Sequence, residues 1–420
     1  MEKALLVHMS TERDPVGSVE ESLQELRGLV KSAGGEAIQE IVQHRREISP
    51  KYYIGSGKVQ ELKRMMQELQ ADMVVFDHVL SPIQLRSLED RLKGKVIDRT
   101  QLILDIFAQR ARSNEGKLQV ELAQLHYILP RLTGKGRALS RLGGGIGTRG
   151  PGEKKLEEDR RRIQERIGTI KASLRRIEKR RAQQRKARTR SPIPLVSLVG
   201  YTNAGKSSIF NRLTQESVLA SSQLFATLDP VIRRVSFPDG SYCFLSDTVG
   251  LIKHLPRELK TAFRATLEEA READCLCHVI DITSPHCLRQ MEAVEAILSE
   301  LEAQDIPTLK LFNKIDLLPD TKRLLEKNRD RENTSLYMSA LTGDGLPEFK
   351  RNLHHQLFKD HRVFCLRIPK SEKNTIHSFP KWSIVLKRRE NRNDIELKVM
   401  AEPKAMVKFS SYILRGDTLW

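Results

Sequence analysis

The chain has 420 residues, of which 39% are hydrophobic and 30% charged, and its formal net charge at pH 7 is +18. This length suits two to four domains, and the positive charge indicates a polyanionic partner, with nucleic acid favoured over an anionic membrane. We expect no membrane insertion and no signal peptide, because long apolar stretches are absent. The five cysteines are odd in number and lack zinc spacing, which favours a reducing cytoplasm.

Residues 1–100 alternate short apolar runs with amphipathic segments. Strands are predicted at residues 4–7, 37–43, 73–76 and 95–97, and helices at 19–30, 58–69 and 82–92. Ser81 in front of Pro82 suits the start of the third helix. The alternation predicts a small parallel α/β domain. Gly55-Ser56-Gly57-Lys58 resembles part of a phosphate loop but lacks the upstream glycine, which favours a tight turn over a nucleotide site.

Residues 101–190 have a different pattern, in which apolar residues repeat every three or four positions. The repeats are Leu118, Leu122, Leu125, Leu129 and Leu132, then Leu156, Ile163, Ile167, Ile170, Leu174 and Ile177. Each set forms one apolar stripe along a helix. Two such helices joined by a loop can bury their stripes against each other, so we predict a long antiparallel helical hairpin.

The loop of this hairpin, residues 134–152, is rich in glycine and carries several basic side chains. The basic residues are Lys135, Arg137, Arg141 and Arg149. A long loop without regular structure is usually functional or disordered. Glycine lets the backbone approach a ligand closely, and arginine pairs with phosphate. We therefore favour a mobile finger that contacts RNA over a plain linker.

The second helix of the hairpin is strongly basic. Residues 153–190 contain 16 Lys and Arg against 6 Asp and Glu, a net charge of +10. Because a solvated helix face usually carries both signs, this excess favours polyanion binding. The candidate contacts are Arg175, Arg176, Lys179 and Arg180. Few aromatic residues interleave them, which indicates recognition of a nucleic-acid backbone or shape.

A phosphate-loop motif opens the region 191–358. It reads Gly200-Tyr201-Thr202-Asn203-Ala204-Gly205-Lys206-Ser207, between a predicted strand at 194–199 and a helix that starts at 208. Loop N–H groups and the helix dipole converge on phosphate oxygens. Lys206 supplies a cation for the β and γ phosphates, and the Ser207 hydroxyl a ligand for Mg²⁺. A chance glycine-rich turn is disfavoured because three matching motifs follow in order.

Two of these motifs surround the expected γ-phosphate position. Phe225-Ala226-Thr227-Leu228-Asp229 contains the expected second Mg²⁺ ligand, Thr227. A strand pair at 231–237 and 242–246 then leads to Asp247-Thr248-Val249-Gly250. Its aspartate can hold Mg²⁺ through a water, and the Gly250 N–H can meet the γ-phosphate. We predict that Lys206, Thr227 and Gly250 are the catalytic groups.

The last motif selects the base. Asn313-Lys314-Ile315-Asp316 follows a predicted strand at 309–312, and Ser339-Ala340-Leu341 follows one at 334–338. The Asp316 carboxylate can accept from guanine N1–H and N2–H₂, which adenine does not offer. Lys314 would lie along the base, Asn313 would brace the loop, and the second run would offer N–H groups to guanine O6. The predicted ligands are therefore GTP and GDP.

Leu251 follows Gly250, where many GTPases have a glutamine that orients the attacking water. A leucine side chain cannot hydrogen-bond to water. We expect slow hydrolysis unless a partner supplies the missing group, help that gains about 10³–10⁵ in rate elsewhere. The alternative is another group of this chain, such as His254.

Residues 359–420 contain apolar alternation but no visible chemistry. Three or four strands are predicted, from the segments 363–368, 383–386, 395–399 and 406–414. The predicted fold class is α/β. It comprises an N-terminal α/β subdomain (1–100), the long antiparallel helical hairpin (101–190), a phosphate-loop GTPase domain with a mostly parallel sheet (191–358), and a small C-terminal α+β domain (359–420).

Taken together, these residues resemble the HflX family of translational GTPases. The resemblance covers residues 1 to about 350 and goes beyond the GTPase motifs. It includes Tyr53-Ile54-Gly55-Ser56-Gly57-Lys58, Phe76-Asp77-His78, Ile97-Asp98-Arg99-Thr100 and Gly144-Gly145-Ile146-Gly147. The chain departs from the family at Lys154, where members commonly carry Thr or Ser, and at Ser113-Asn114. The resemblance implies a cytoplasmic GTPase that binds the large ribosomal subunit, with the glycine-rich loop reaching ribosomal RNA.

Two hypotheses about function follow. The first is a Mg²⁺-dependent GTPase, stimulated by the ribosome, that acts in splitting or rescuing stalled ribosomes or in subunit biogenesis. The alternative is a nucleotide-gated RNA-binding regulator, or an RNA-remodelling factor, with little turnover. In either case we expect a monomer.

Overall fold

A computed structural model describes residues 1–12, 17–132, 151–188, 192–214, 224–225, 227, 231–252, 270–319, 321–326, 334–372, 375–376 and 379–414. The described residues form two compact units. The first contains residues up to Arg176 together with those of the segment Ser221–Asp229, and the second contains the others. Within the described ranges, no helix is both long and apolar enough to cross a bilayer.

The first unit is built on a four-stranded, all-parallel sheet. In chain order its strands are β1 (Lys3–Ser10), β2 (Glu36–His44), β3 (Met73–Phe76) and β4 (Lys95–Asp98). They lie in the order β2-β1-β3-β4. The helices between them are α1 (Ser18–Ser32), α2 (Ser56–Glu68) and α3 (Pro82–Leu92). The prediction of a parallel α/β fold is confirmed.

Polar side chains cap two of the helices that follow strands of this sheet. Ser81 and Gln84 form a reciprocal capping box at the start of α3, and Pro82 occupies its first turn. The next helix, α4 (Arg99–Arg110), was not predicted. It starts directly at the end of β4, with Asp98 accepting a hydrogen bond from the Gln101 N–H at 2.9 Å. The strand end itself therefore supplies the cap.

The two apolar stripes of the hairpin region pack together. They lie on α5 (Asn114–Ile128) and α6 (Pro151–Arg188). Leu122, Ile167 and Ile170 are buried against each other, with Leu118, Leu125, Leu129, Ile163 and Leu174 packed around them. Arg166 adds a two-pronged ion pair to Glu121, at 2.7 and 2.8 Å. The predicted loop 134–152 lies outside the described residues, except for the first two residues of α6.

The second unit contains a six-stranded sheet. Its strands are β5 (Leu195–Gly200), β6 (Val231–Ser236), β7 (Tyr242–Asp247), β8 (Cys275–Asp281), β9 (Thr308–Asn313) and β10 (Ser335–Tyr337). The order is β10-β9-β8-β5-β7-β6, and only the edge strand β6 runs antiparallel. Its described helices are α7 (Lys206–Thr214), α8 (Cys287–Glu300), α9 (Thr321–Glu326) and α10 (Leu346–Phe358).

Cysteine side chains form part of the core of this sheet. Cys243, Cys275 and Cys277 are fully buried among aliphatic residues. Burial raises the pKa of the Cys243 thiol to about 12. These thiols therefore behave as small apolar side chains.

The C-terminal region forms a three-stranded antiparallel sheet. Its strands are β11 (Arg362–Pro369), β12 (Ile384–Glu390) and β13 (Asp394–Ala401), in the order β11-β13-β12. Three strands were one of the two predicted numbers, and the candidate fourth strand, 406–414, does not form. Residues there form the short helix α11 (Pro403–Met406) and the 3₁₀ helix Val407–Tyr412. Pro403 suits a first helical turn, and Met406 and Phe409, three residues apart, are both buried against the sheet.

Candidate nucleotide-binding site

The loop 200–207 joins the carboxyl end of β5 to the first turn of α7 in the second unit. Gly200 and Gly205 have positive φ values of 152° and 98°. A Cβ at Gly200 would collide with the carbonyl oxygen of Val279, and one at Gly205 with the amide nitrogen of Asn313. Only glycine fits these two positions, so the loop packs directly against the strand end and against the base-recognition loop.

Lys206 is enclosed by this loop. Its Nζ donates hydrogen bonds to the carbonyl oxygens of Gly200 at 3.0 Å and Tyr201 at 2.8 Å. Burial lowers the pKa of Lys206 to about 8, against the opposing effect of the Asp247 carboxylate. The side chain is thus held in place beside the position where phosphate loops bind their anions.

Ser207 and Asp247 bring two oxygen ligands together. The Ser207 hydroxyl donates to Oδ2 of Asp247 at 2.7 Å, and Asp247 is fully buried at the end of β7. The next residue, Thr248, donates its hydroxyl to the carbonyl oxygen of Leu198 at 2.6 Å. This bond ties the end of β7 to β5, so the two phosphate-side motifs have a fixed spacing.

Residues 250 and 251 lie directly against the phosphate loop. The N–H of Leu251 donates to Gly200 O at 3.1 Å, and the N–H of Thr202 donates to Leu251 O at 2.9 Å. A Cβ at Gly250 would lie 2.8 Å from Cγ2 and 3.0 Å from Cα of Thr202, so only glycine fits easily here. The Leu251 side chain is 4% exposed. The sequence motif did not indicate this backbone pairing.

Asn313 connects the phosphate loop to the base-recognition loop. Its amide nitrogen donates to the carbonyl oxygen of Ala204 at 2.8 Å. Its amide oxygen accepts from the N–H of Ala340 at 2.9 Å. Arg212 on α7 adds a second link, because its Nε donates to Ala340 O at 3.1 Å.

Polar contacts also fix the two charged residues of this motif. Lys314 has a positive φ of 69°, and its Nζ forms an ion pair with Oδ2 of Asp281. Asp316 accepts a hydrogen bond from the Ser339 hydroxyl. Asp281 was missed in the sequence, although an acidic residue at the carboxyl end of a parallel strand is a usable signal.

Apolar side chains flank the base-recognition loop. Leu317 and Leu341 are 66% and 76% exposed, while Ile315 is fully buried beneath the loop. Exposed leucines beside the half-buried Asp316 carboxylate suit a flat ring that has polar groups on one edge. The geometry of the second unit therefore fits a phosphate-bearing nucleotide with an N–H-donating base.

Comparison with known proteins identifies this set of motifs. Residues 20–108 match the family model "GTP-binding GTPase N-terminal", residues 110–188 "GTP-binding GTPase Middle Region" and residues 195–314 "50S ribosome-binding GTPase". GTPase HflX of Escherichia coli strain K12 is 47% identical over 371 residues, which is 88% of this chain and 86% of that protein. The chain belongs to the HflX family of GTPases. It hydrolyses GTP.

Other HflX proteins and one solved structure show similar coverage. GTPase HflX of Caldanaerobacter subterraneus is 47% identical over 368 residues, covering 88% of this chain and 83% of that protein. The solved complex of SsGBP with GDP is 26% identical, covers 86% of this chain and 99% of that one, and superposes with a TM-score of 0.49.

In this HflX-family chain, Phe225 and Thr227 are described with the first unit. Phe225 is 2% exposed and has a positive φ of 58°, and Thr227 is 9% exposed. The N–H of Leu224 donates to the Ser32 hydroxyl at the end of α1, at 2.9 Å. The other predicted residues of this motif, Ala226, Leu228 and Asp229, lie outside the described residues, as does His254.

Of the predicted RNA contacts, the structure describes those on α6 but not those in the glycine-rich loop. Arg175, Arg176, Lys179 and Arg180 are exposed on α6. Among the described residues, none of these four forms an ion pair. Lys135, Arg137, Arg141 and Arg149 fall in the part of the chain that the structure does not describe.

Proposed function

We propose that this GTPase binds the large ribosomal subunit through the basic face of α6 and the glycine-rich segment before it, and that the ribosome stimulates its GTP hydrolysis. The observation that carries the proposal is the exposed basic run 175–180. The family model "50S ribosome-binding GTPase", which matches residues 195–314, supports the same partner.

The two halves of α6 differ in how their charges are compensated. In the first half, Arg161 pairs with Glu165 at 3.0 Å and Arg162 with Glu158 at 2.8 Å. In the run 175–180, Glu178 is the only acidic residue among four basic ones. Basic side chains that are not already paired can neutralise phosphates and release the counterions bound to a nucleic acid. The half of α6 that contains residues 175–180 is therefore the stronger polyanion site.

Mg²⁺ is the proposed cofactor. The Ser207 hydroxyl and the Asp247 carboxylate are hard oxygen ligands that lie 2.7 Å apart, which suits a small divalent cation. Ser207 and Thr227 would bind the ion, with Asp247 acting through a water. When bound, the ion neutralises charge on the β and γ phosphates.

Side chains of the protein would bind the phosphates and the base of GTP and hold them in position. Lys206 presents its ammonium to the phosphates, Asp316 accepts from the guanine edge, and Lys314, fixed by Asp281, lies along the base. Gly250 senses the γ-phosphate through its N–H. Leu251 offers no side-chain donor or acceptor to a water, so hydrolysis is slow until the ribosome positions the missing group.

The proposed cellular role is ribosome splitting, rescue of stalled ribosomes, or subunit biogenesis, performed by a monomer in the cytoplasm. The test is GTP turnover with and without purified large subunits at one fixed salt concentration. We expect strong stimulation in their presence. Unchanged turnover with intact binding would favour the alternative, a nucleotide-gated RNA-binding regulator.

A matched pair of variants tests the basic face. Replacing Arg175 and Arg176 with Glu should weaken binding to the large subunit and reduce its salt dependence by about one unit of slope for each phosphate that is no longer neutralised. The control replaces Arg161 and Arg162 with Glu, an equal charge change at positions already paired with acidic residues. Equal weakening in both variants would contradict the assignment of residues 175–180.

A further inference from the structure

A cluster of metal-ligating side chains lies in the first unit, outside the motifs used so far. His8 stands near the carboxyl end of β1, and Asp77 and His78 directly follow β3. The two strands are hydrogen-bonded neighbours and parallel, so both ends meet at one edge of the sheet.

This edge is the place where open α/β sheets hold ligands. From β1 the chain first adds β2 on one side and then crosses to add β3 and β4 on the other. The ends of β1 and β3 therefore flank the topological switch point, where loops diverge and leave a crevice. The three side chains fall at that point.

The side chains converge closely. Nδ1 of His8 lies 2.8 Å from Oδ2 of Asp77, and the rings of His8 and His78 are 4.9 Å apart between centroids. One ligand atom from each of the three residues lies within 4.8 Å of the other two. His8 and Asp77 are buried, and His78 is half-buried.

Asp77 also forms an ion pair with Arg99. Its second oxygen, Oδ1, accepts from Nη1 of Arg99 at 2.7 Å, and Arg99 forms a further ion pair with Glu25. The Asp77 carboxylate thus contacts Arg99 through one oxygen and His8 through the other, which fixes its orientation. Outer partners of this kind orient the carboxylate of a metal site.

We propose that His8, Asp77 and His78 bind one divalent transition-metal ion of the zinc class. Two imidazoles and a carboxylate are ligands that Zn²⁺ and Co²⁺ accept, and three protein ligands leave a fourth position for water. Tetrahedral ligands at about 2.0 Å from the ion are about 3.3 Å apart, so small side-chain rotations suffice. The ion would bind Nδ1 of His8 and Oδ2 of Asp77, with the proton of the neutral His8 ring on Nε2.

Metal uptake by the full-length, nucleotide-free protein tests this proposal. The protein is stripped with a chelator and titrated with Co²⁺, followed by visible absorption, and with Zn²⁺, followed by calorimetry. We expect one tightly bound ion per chain. His8→Asn and His78→Asn should each weaken binding by about tenfold or more. His44→Asn, at an exposed histidine outside the cluster, should leave it unchanged.

Thermal unfolding gives a second readout that does not depend on spectroscopy. Zn²⁺ should raise the unfolding midpoint of the wild type and of His44→Asn but not of the two cluster variants, because an ion that binds only the folded state stabilises it. Absence of stoichiometric uptake by the wild type would overturn the proposal. So would uptake that persists in both cluster variants, since the ion would then sit on cysteines or surface groups and the cluster would be a hydrogen-bonded network only.

Discussion

The ring of Phe225 meets the ring of Phe107 on α4 edge to face, with centroids 4.6 Å apart. Phe225 stands two residues before Thr227, the proposed Mg²⁺ ligand. Leu224 packs beside Gly28 on α1 and is hydrogen-bonded to Ser32. The chain just before Thr227 is therefore packed on two helices of the first unit.

Gly28→Ala should loosen this packing. A Cβ at residue 28 would lie 3.1 Å from Cδ1 of Leu224, too close without displacement. Overpacking of this kind costs about 1 kcal/mol. Because γ-phosphate binding is proposed to use Thr227, looser packing of this segment should raise GTP affinity about fivefold and leave GDP affinity unchanged.

Fluorescent-nucleotide binding measures both affinities. Gly57→Ala is the matched control, because a Cβ there meets nothing within 4 Å. A change of equal size for GTP and GDP would show that the packing is unrelated to Thr227.

Lys206 should make nucleotide binding consume protons at alkaline pH. With its pKa lowered to about 8 by burial, about three quarters of the lysine is neutral at pH 8.5 in the free protein. Bound phosphates restore the ammonium form, so uptake of about 0.75 proton per GDP is expected at pH 8.5 and about 0.1 at pH 7.0. Affinity therefore falls as pH rises above 8.

Calorimetry in buffers of different ionisation enthalpy measures this uptake. Lys206→Arg, which stays charged, should show none at pH 8.5. Equal proton uptake in the wild type and in this variant would assign it to another group.

Asp316→Asn should exchange guanine for xanthine specificity. The Asn amide oxygen can still accept from guanine N1–H, but its NH₂ group faces the N2 amino group, donor against donor. The charge is also lost, and hydrogen bonds to charged groups contribute about 1.5–3 kcal/mol each. GTP affinity should fall by about 100-fold or more, while xanthosine triphosphate gains, because the amide can donate to its 2-oxo group. Competition binding measures the exchange. Asp305→Asn, at an exposed aspartate, is the control, and loss of both nucleotides alike would point to misfolding.

Asp281→Asn should weaken nucleotide binding indirectly, because Asp281 acts through Lys314 and is not itself a proposed ligand contact. The Asp281 carboxylate fixes Lys314, and both side chains are largely shielded, at 18% and 26% exposed. Losing this constraint should cost about 1 kcal/mol, so GDP should dissociate about fivefold faster. Stopped-flow displacement measures the rate.

Thr283→Val is the control for Asp281. It removes a hydroxyl that donates to the other carboxylate oxygen at 2.6 Å but leaves the ion pair with Lys314 intact. An equal acceleration in both variants would assign the effect to the loop, not to the lysine.

The sequence was most informative where local signals agree. β3 and α3 have the predicted bounds, since a buried apolar run, a capping serine and a proline mark them. Where they conflict, prediction failed. Helix α4 follows its strand without a turn residue. Residues 407–412 have the β-branched and aromatic composition of a strand but form helical turns.

The site includes contacts that its sequence motifs do not predict. Asp281 lies 33 residues from Lys314 and belongs to no motif, so only the sheet register brings them together. The pairing of Leu251 with Gly200 and Thr202 is made by backbone atoms, which leave no mark in a residue pattern.

Asn313 gives the two ends of the ligand a common support. Its single amide holds a carbonyl of the phosphate loop and an N–H of the base loop. Ordering either loop therefore orders part of the other. Guanosine and pyrophosphate, offered as separate molecules, should bind with positive cooperativity, each tightening the other although they do not touch. Asn313→Ala would uncouple the two halves of the nucleotide.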